Sequence, residues 1–184
     1  MDNDNLFKKM KKIVLLIIFI TLYSCSSDNN TPKNTSEIDK LPPATQTGAN
    51  TFGCLLDGKA FLPGNGSNPL DCVYQLVGGE YYFELQANKR DEFNNIVLIA
   101  LGTNKLQIEQ GLVYNLLGGS NGNAYGVYSF ATNKTYTDNI NYGELTITKL
   151  TETTVSGTFW YNIIDYQGNL HTIREGRFDM QYSN

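Results

Sequence analysis

This chain has 184 residues, of which 41% are hydrophobic and 17% charged, with 14 Lys and Arg against 18 Asp and Glu. The formal net charge is −4. After Cys25 the chain carries 10 Lys and Arg against 16 Asp and Glu, a net charge of −6 with no basic cluster, so nucleic acid and anionic lipid headgroups are poor partners. Once an N-terminal leader is set apart, the length suits one ordinary domain with its own core.

The N-terminus has the features of a lipoprotein signal peptide. Two lysines precede an apolar run of ten residues, and the small residue Ser24 leads into Cys25. The run is shorter than the ~20 apolar residues of a membrane span, and a cysteine in this place is the expected lipid acceptor. We predict a signal over residues 1–24, with Met10 as an alternative start. Ser26 after the cysteine indicates outer-membrane sorting, on either the periplasmic or the cell-surface face. The alternative is an ordinary secretory signal that is cut elsewhere.

Residues 25–50, beginning with the lipidated cysteine, are predicted to form a flexible linker. They are rich in Ser, Asn, Asp, Thr and Pro, and Ile38 and Leu41 are their only large aliphatic residues. Such a segment buries too little apolar surface to order itself.

The remaining residues, 51–184, alternate between apolar and polar with a period of two, and no stretch sustains a 3.6-residue period. Asp57-Gly58 and Gly78-Gly79 each predict a tight hairpin, because these residues tolerate positive φ. The apolar run from Ile96 to Leu101 predicts a central strand that is covered on both faces.

The last third predicts an antiparallel meander over residues 144–150, 154–164 and 170–182. In its last strand the apolar side chains change from odd positions, at Ile173, to even positions from Phe178, and a bulge at Glu175-Gly176 accounts for the change. The expected fold is therefore a single all-β domain. It is an antiparallel sandwich or a flattened barrel of about nine or ten strands, and the sequence does not choose between them.

Two cysteines, Cys54 and Cys72, remain when Cys25 is assigned to lipid. In an oxidising compartment the default expectation is a disulfide, which would close a loop of about 18 residues and stabilise the fold by roughly 3 kcal/mol. The alternative is a reactive or metal-binding thiol pair, which needs further ligands that the sequence does not show.

Five short motifs lie along the domain, and each occurs once: LPPATQTGANTFGC from Leu41, DGK from Asp57, GELTITK from Gly143, VSGTFW from Val155 and EGRFD from Glu175. With these motifs, residues 41–184 resemble a family of uncharacterised lipoproteins of the flavobacterial, Bacteroidota type. The resemblance implies a lipid-anchored β-rich domain. It brings no activity, ligand or catalytic residue to this chain.

Most parts of a catalytic site are missing from the sequence. His171 is the only histidine, no nucleophile motif accompanies it, and an ordinary strand histidine is the favoured interpretation. The glycine-rich residues 118–122 lack a lysine and a following helix, so we expect a flexible loop. We expect no catalytic residue, no metal ligand and no cofactor.

Two alternatives stay open. Residues 138–144 offer oxygens to calcium, although a solvated turn is favoured. A carboxylate pair for glycoside hydrolysis could come from four acids, namely Glu80, Glu84, Asp91 and Glu92.

Twelve tyrosines and one tryptophan favour a contact surface, because amphipathic rings suit stacking against sugar or peptide. Trp160 is the first candidate, since it stands on the polar face of its strand, and Tyr82 and Tyr128 are weaker ones. Burial of Trp160 under a loop or the second sheet is the favoured alternative.

We expect a non-catalytic binding or interaction module, attached to a membrane by its lipid, with a glycan, peptide or envelope-protein partner. A structural accessory subunit of an envelope complex is the second hypothesis and a glycoside hydrolase the third.

Overall fold

The computed structural model describes residues 35–183, which form eleven β-strands and one short 3-10 helix, Glu37–Lys40. The strands, in chain order, are β1 (Thr51–Leu56), β2 (Lys59–Phe61), β3 (Leu70–Val77), β4 (Glu80–Arg90), β5 (Ile96–Asn104), β6 (Val113–Asn115), β7 (Asn123–Phe130), β8 (Asn133–Tyr136), β9 (Gly143–Leu150), β10 (Thr154–Ile164) and β11 (Leu170–Gln181). None of the helices in this part of the chain is long and apolar enough to cross a membrane. The predicted signal and the lipid acceptor Cys25 lie outside the described residues.

The strands form two antiparallel sheets that do not join into a closed barrel. The first has six strands in the order β2-β1-β11-β10-β9-β6, and the second has five in the order β3-β4-β5-β7-β8. The all-β prediction is confirmed, and the architecture is a sandwich, with eleven strands rather than nine or ten.

Both predicted hairpins are confirmed by their backbone angles. Asp57 and Gly58 have φ of 51° and 78°, and Gly78 and Gly79 have φ of 61° and 86°. Positive φ at both central residues is the type I′ geometry, whose twist matches that of the flanking strands. The predicted meander is also present, as β9, β10 and β11.

The core lies between the sheets and is rich in aromatic rings. Phe83 of the five-stranded sheet packs against Phe178 of the six-stranded sheet, with ring centroids 6.2 Å apart. Tyr161 is fully buried, and its hydroxyl donates a hydrogen bond of 2.6 Å to the Val127 carbonyl oxygen across the sandwich. Burial of one such large side chain contributes roughly 1.5–3 kcal/mol.

A β-bulge interrupts β11 where the sequence predicts it. Phe159 pairs with Gly176 whereas Tyr161 pairs with Ile173, so two residues of β11 lie opposite the single residue Trp160. The residue with positive φ is Glu175, at 53°, and not the neighbouring glycine. Gly176 is required for space instead, because a Cβ atom there would lie 2.6 Å from the Phe159 ring.

The predicted linker is wrong in its second half, because the compact unit begins at Thr35 rather than at residue 51. Residues 41–50, which we call the strap, cross the outer face of the six-stranded sheet. Leu41 is buried, and Pro42 packs so closely on Gly53 that a Cβ there would lie 2.6 Å from its ring. The buried carboxylate of Asp179 provides the order that apolar burial alone does not supply, since it accepts hydrogen bonds from the strap.

The predicted disulfide is not formed, and Cys54 and Cys72 are two separate buried thiols. Cys54 lies on β1 in the six-stranded sheet and Cys72 on β3 in the other sheet. Both side chains lie in the core between the sheets. Burial raises the pKa of the Cys54 thiol to about 12 and also raises that of Cys72, so both stay protonated at neutral pH.

Candidate functional site

The three aromatic residues singled out in the sequence lie in three different parts of the sandwich. Trp160 is half-buried on the outer face of the six-stranded sheet, and Tyr82 is half-buried on the outer face of the five-stranded sheet. Tyr128 is only 6% exposed and belongs to the core between the sheets. Tyr128 was therefore wrong as a surface candidate, because the inner face of β7 carries it.

Trp160 is fixed in place by neighbours on both adjoining strands and on the loop before β9. It lies directly opposite Glu144 of β9, whose carboxylate accepts a hydrogen bond of 3.2 Å from the indole N–H. The ring of Tyr142 lies 6.0 Å away, centroid to centroid, at an angle of 60°. The guanidinium carbon of Arg174 is 5.3 Å from the centroid of the indole. These contacts hold the ring in one orientation.

The β-bulge in β11 is what brings Arg174 to the indole. Ile173 and Gly176 both face the core, and the bulge leaves Arg174 and Glu175 between them on the outer side, opposite Trp160. The Arg174 guanidinium donates hydrogen bonds to the carbonyl oxygen of Tyr161 at 2.9 Å and to the side chain of Asn162. Bulges re-aim side chains in this way at the surface of a sheet.

These residues line a shallow cleft of about 480 Å³ whose charges balance. Arg174 and Arg177 contribute two positive charges, and Glu144 and Glu175 two negative ones. Each carboxylate already has a partner, since Glu144 accepts from the indole and Glu175 lies 3.6 Å from the Arg177 guanidinium. Ala44 of the strap forms one wall. The cleft therefore offers an aromatic ring and oriented polar groups rather than a strong field of one sign.

His171 serves a structural role in this fold. Its Nδ1 lies 2.7 Å from Asp57 Oδ2 and its Nε2 lies 3.3 Å from Asp165 Oδ2, and its ring stacks on Tyr128 at 4.3 Å. Burial alone would raise the pKa of Asp165, but hydrogen bonds from Asn169 and Gln167 and from His171 lower it to about 2. Both ring nitrogens face a carboxylate, so the histidine ties the β1–β2 turn to the β10–β11 turn.

The four acids considered for glycoside hydrolysis lie on β4 and directly after it. Glu80 and Glu84 are four residues apart on the same face of β4, which separates them by about 13 Å, whereas paired carboxylates lie about 5–9.5 Å apart. Asp91 and Glu92 follow the other end of β4. The Asp91 carboxylate accepts hydrogen bonds within its own turn, from the backbone N–H groups of Phe93 and Asn95.

Residues 138–141, at the start of the stretch considered for calcium, form a turn. The Asp138 carboxylate accepts hydrogen bonds from the backbone N–H groups of Ile140, at 2.7 Å, and Asn141, at 2.6 Å. In the part of the chain that the structure describes, no group of three or more His, Cys, Asp or Glu residues is placed to hold a metal ion.

The sequence analysis missed Arg174, Glu144 and Tyr142, although it contained a signal for each of the first two. The predicted bulge implies that the residue beside it changes face, and this residue is Arg174. The predicted turn at Thr151 to Thr153 joins the first two strands of the meander. Counting residue pairs outward from that turn places Glu144 opposite Trp160, as in the structure. Tyr142 precedes β9 and had no such signal.

No protein-family model, curated protein or solved structure matches this chain. The resemblance to Bacteroidota lipoproteins therefore stays a prediction, and function must be inferred from the geometry of this chain alone.

Proposed function

We propose that this protein is a lipid-anchored, non-catalytic interaction module of the bacterial cell envelope that docks a polypeptide partner through the Trp160 cleft. One observation carries the proposal. The only tryptophan of the chain stands on the outer face of a sheet, held by Glu144, Arg174 and Tyr142, and not in the core.

The residue types around the cleft are those that dominate protein interfaces. Trp, Tyr and Arg are enriched among the residues whose truncation costs most binding energy. Tyr142 is 46% exposed and Ile140, two residues before it, is 84% exposed, so apolar surface continues past the cleft. A ring that is already oriented loses little conformational entropy on binding, which favours affinity.

A polypeptide partner is favoured by what already lies on this sheet. The strap is an extended segment on the same outer face, and its residue Ala44 forms a wall of the cleft. A second extended segment beside the strap would meet Trp160 and the exposed Thr158. The balanced charge of the cleft fits a partner without a strong net charge.

The proposed place of action follows from the predicted signal and the resemblance to Bacteroidota lipoproteins. Cys25 would carry the lipid and attach the module to the outer membrane. A module of this kind binds a soluble partner near the membrane or serves as an accessory subunit of an envelope complex. The absence of catalysis is likewise a proposal, and it is supported by the paired state of His171 and by the separation of the acids on β4.

Site-specific photo-crosslinking in living cells tests the docking proposal. A benzoyl-phenylalanine at Thr158, in the cleft, is expected to give a protein adduct of defined mass. The same group at Thr132, an equally exposed threonine in the β7–β8 turn, should not. Adding Trp160→Ala to the Thr158 probe should abolish the adduct, since loss of a central tryptophan weakens an interface about thirtyfold or more. Equal adducts at both positions, or an adduct that is indifferent to Trp160→Ala, would refute the proposal.

Protease shaving of intact cells with a C-terminal tag tests the location. A Cys25→Ala variant should release the protein from the membrane fraction. Loss of the tag from intact cells indicates the cell surface, and protection until lysis indicates the periplasmic face. Retention of the Cys25→Ala variant in the membrane would contradict the lipid anchor.

A further inference from the structure

The outer face of the five-stranded sheet, opposite to the Trp160 cleft, carries a row of three tyrosines. Tyr82 lies on β4, Tyr125 on β7 and Tyr136 on β8. The Tyr125 and Tyr136 rings are in edge contact, with centroids 5.6 Å apart at 65°, and Tyr136 is 46% exposed. Three rings on the solvent side of a sheet are not explained by the core, which lies on its other side.

Gly102 of β5 makes this arrangement possible. Gly102 pairs with Tyr125, and a Cβ atom on Gly102 would lie 2.5 Å from the Cζ and hydroxyl atoms of the Tyr125 ring. The end of the ring therefore lies directly over the backbone of β5. Covering a strand glycine with an aromatic ring also stabilises a sheet, so Tyr125 has a structural use of its own. Tyr82 and Tyr136 do not cover a glycine in this way, and they provide the sharper tests.

Two adjoining cavities follow this row. One, of about 500 Å³, is lined by all three tyrosines together with Asn104 and Ser120. The other, of about 240 Å³, shares Tyr82 and Tyr125 and extends to Gln75 and Glu84. We call the two together the tyrosine groove. It crosses the sheet from β3 to β8, and at about 4.8 Å per strand interval its length is about 19 Å. That length suits a chain of several units rather than a single small molecule.

The rim of the groove is a loop that the protein itself holds in place. The loop before β7, residues 118–122, was expected to be flexible. In the structure Asn104 donates from its side-chain amide to the Gly119 carbonyl oxygen at 2.8 Å, and Gly122 donates from its N–H to the Asn104 carbonyl oxygen at 2.7 Å. The groove is therefore formed in advance of any ligand, which limits the ordering cost of binding.

The chemistry of the lining selects the ligand. Burial, together with the nearby Glu84 and Tyr136, raises the pKa of Tyr125 to about 12, so the phenol is a neutral donor. Among the described residues, Glu84 is the single charged side chain that lines the two cavities. One cation lies at the β8 end of the groove, where the Lys134 ammonium is 5.9 Å from the centroid of the Tyr136 ring. Phosphorylated, sulfated or uronic acid chains would therefore meet one lysine at the end of the groove and a carboxylate within it, which is too little counter-charge for a chain with a charge on each unit.

A neutral saccharide fits each of these features. The C–H groups on one side of a sugar ring are weakly positive and pack on the negative face of an aromatic ring. The hydroxyl groups of the sugar need hydrogen-bond partners, which the phenols and the amide and carboxylate oxygens at Gln75 and Glu84 supply. A purely apolar ligand would leave these polar groups without partners, at a cost in affinity.

We propose that the tyrosine groove binds a neutral oligosaccharide chain along the row Tyr82, Tyr125 and Tyr136. This site is distinct from the Trp160 cleft in position and in ligand. A protein with both sites would hold a glycan on one face and a polypeptide partner on the other.

Isothermal titration calorimetry on the full lipidated chain tests the site. The protein is kept in a detergent without a sugar headgroup, such as octaethylene glycol monododecyl ether. The neutral probes are maltohexaose, cellohexaose, xylohexaose, mannohexaose and chitohexaose, and the anionic probes are polygalacturonate and dextran sulfate. At least one neutral probe should bind, and neither anionic probe should.

Matched variants connect that binding to the groove. Tyr82→Ala and Tyr136→Ala should each weaken it about tenfold, because each removes one stacking surface. Tyr125→Phe keeps the ring over Gly102 and should weaken binding less. Tyr166→Ala, at a tyrosine that is 50% exposed in the β10–β11 turn, should leave the affinity unchanged.

Trp160→Ala should also leave sugar binding unchanged, which separates this site from the docking proposal. Three results would overturn the glycan site: no neutral probe binds, the anionic probes bind instead, or binding keeps its full affinity in the Tyr82→Ala, Tyr136→Ala double variant. Circular dichroism of each variant confirms that a loss of binding is not a loss of fold.

Discussion

Replacing Asp179 by Asn should loosen the strap from the six-stranded sheet. The Asp179 side chain is 1% exposed, and its two oxygens accept six hydrogen bonds. Oδ1 accepts from the Gly48 N–H at 2.8 Å and from the Ser156 hydroxyl at 2.7 Å. Oδ2 accepts from the Thr45 hydroxyl at 2.6 Å, and also from Thr47 and Ala49. All of these partners are donors, which suits a carboxylate and not an amide.

The expected cost follows from the hydrogen-bond count. An amide has one acceptor oxygen, so its NH₂ group faces donors in either orientation. If the NH₂ replaces Oδ1, the Gly48 N–H loses its acceptor, and if it replaces Oδ2, the N–H groups of Thr47 and Ala49 lose theirs. A buried donor without a partner costs about 1–3 kcal/mol, and the remaining bonds weaken because the acceptor is no longer charged. We expect a loss of about 3 kcal/mol, which lowers the Tm of a domain of this size by about 6–12 °C.

The pH dependence gives the prediction a definite sign. Burial alone would raise the pKa of Asp179, but the hydrogen bonds from Thr45, Thr47, Ser156 and Gly48 outweigh it, and the pKa in the folded state is far below its usual value. The unfolded carboxyl titrates near its ordinary pKa of about 3.9. The stabilisation is therefore complete above that pH and is lost as the pH falls toward the folded pKa. The difference between wild type and Asp179→Asn should be greatest at neutral pH and should shrink below about pH 4.

Urea unfolding between pH 3 and pH 7 measures this difference, and the rate of tryptic cleavage after Lys40 measures release of the strap. Asp39→Asn is the matched control, because Asp39 lies in an exposed position just before the strap and accepts one hydrogen bond, from the Ser36 N–H at 3.1 Å. It should cost no more than about 0.5 kcal/mol. If Asp179→Asn costs no more than Asp39→Asn, or if its cost does not change with pH, the account of the strap is wrong.

Three further predictions test the fold. Gly176→Ala should destabilise by about 1–3 kcal/mol in urea, because the new methyl group meets the Phe159 ring and backbone; a neutral effect would contradict the bulge geometry. The thiols of Cys54 and Cys72 should resist Ellman's reagent in the native protein and both react after denaturation, whereas a mass gain of about 2 Da on reduction would show a disulfide instead. His171→Ala should cost about 1–3 kcal/mol, since it leaves two carboxylates without their shared partner, and unchanged unfolding would remove its structural role.

The sequence predicted those features of the fold that are encoded locally. Asp57-Gly58 forms its turn from two adjacent residues, and the alternation along β10 assigns each side chain to a face without reference to distant residues. The bulge was found because a single strand changed its phase between Ile173 and Phe178. Each of these signals lies within about a dozen residues of chain.

The features that were missed depend on distant residues. The Asp179 carboxylate accepts a hydrogen bond from Thr47, which lies 132 residues earlier in the chain. The polar composition of the strap predicts a linker, because the sequence does not show that this carboxylate lies beside it. The disulfide prediction failed for the same reason, because the sequence gives the count of cysteines but not how their side chains are placed in the core. Tyr128 was predicted to lie at the surface because the sequence does not show which face of β7 is turned toward the other sheet.

The bulge links the strap and the cleft. In an unbroken strand, residues at alternate positions share a face, so Arg174 on the outer face would bring Phe178 and Met180 outward with it. The extra residue at Glu175 reverses the phase, so that Phe178 and Met180 enter the core while Arg177 and Asp179 face outward with Arg174. Arg174 then reaches the indole, and Asp179 then reaches the strap. Both the strap, which forms one wall of the Trp160 cleft, and Arg174, which holds the indole, thus depend on one inserted residue. The strap should therefore be counted as part of the proposed binding surface and not as a tether.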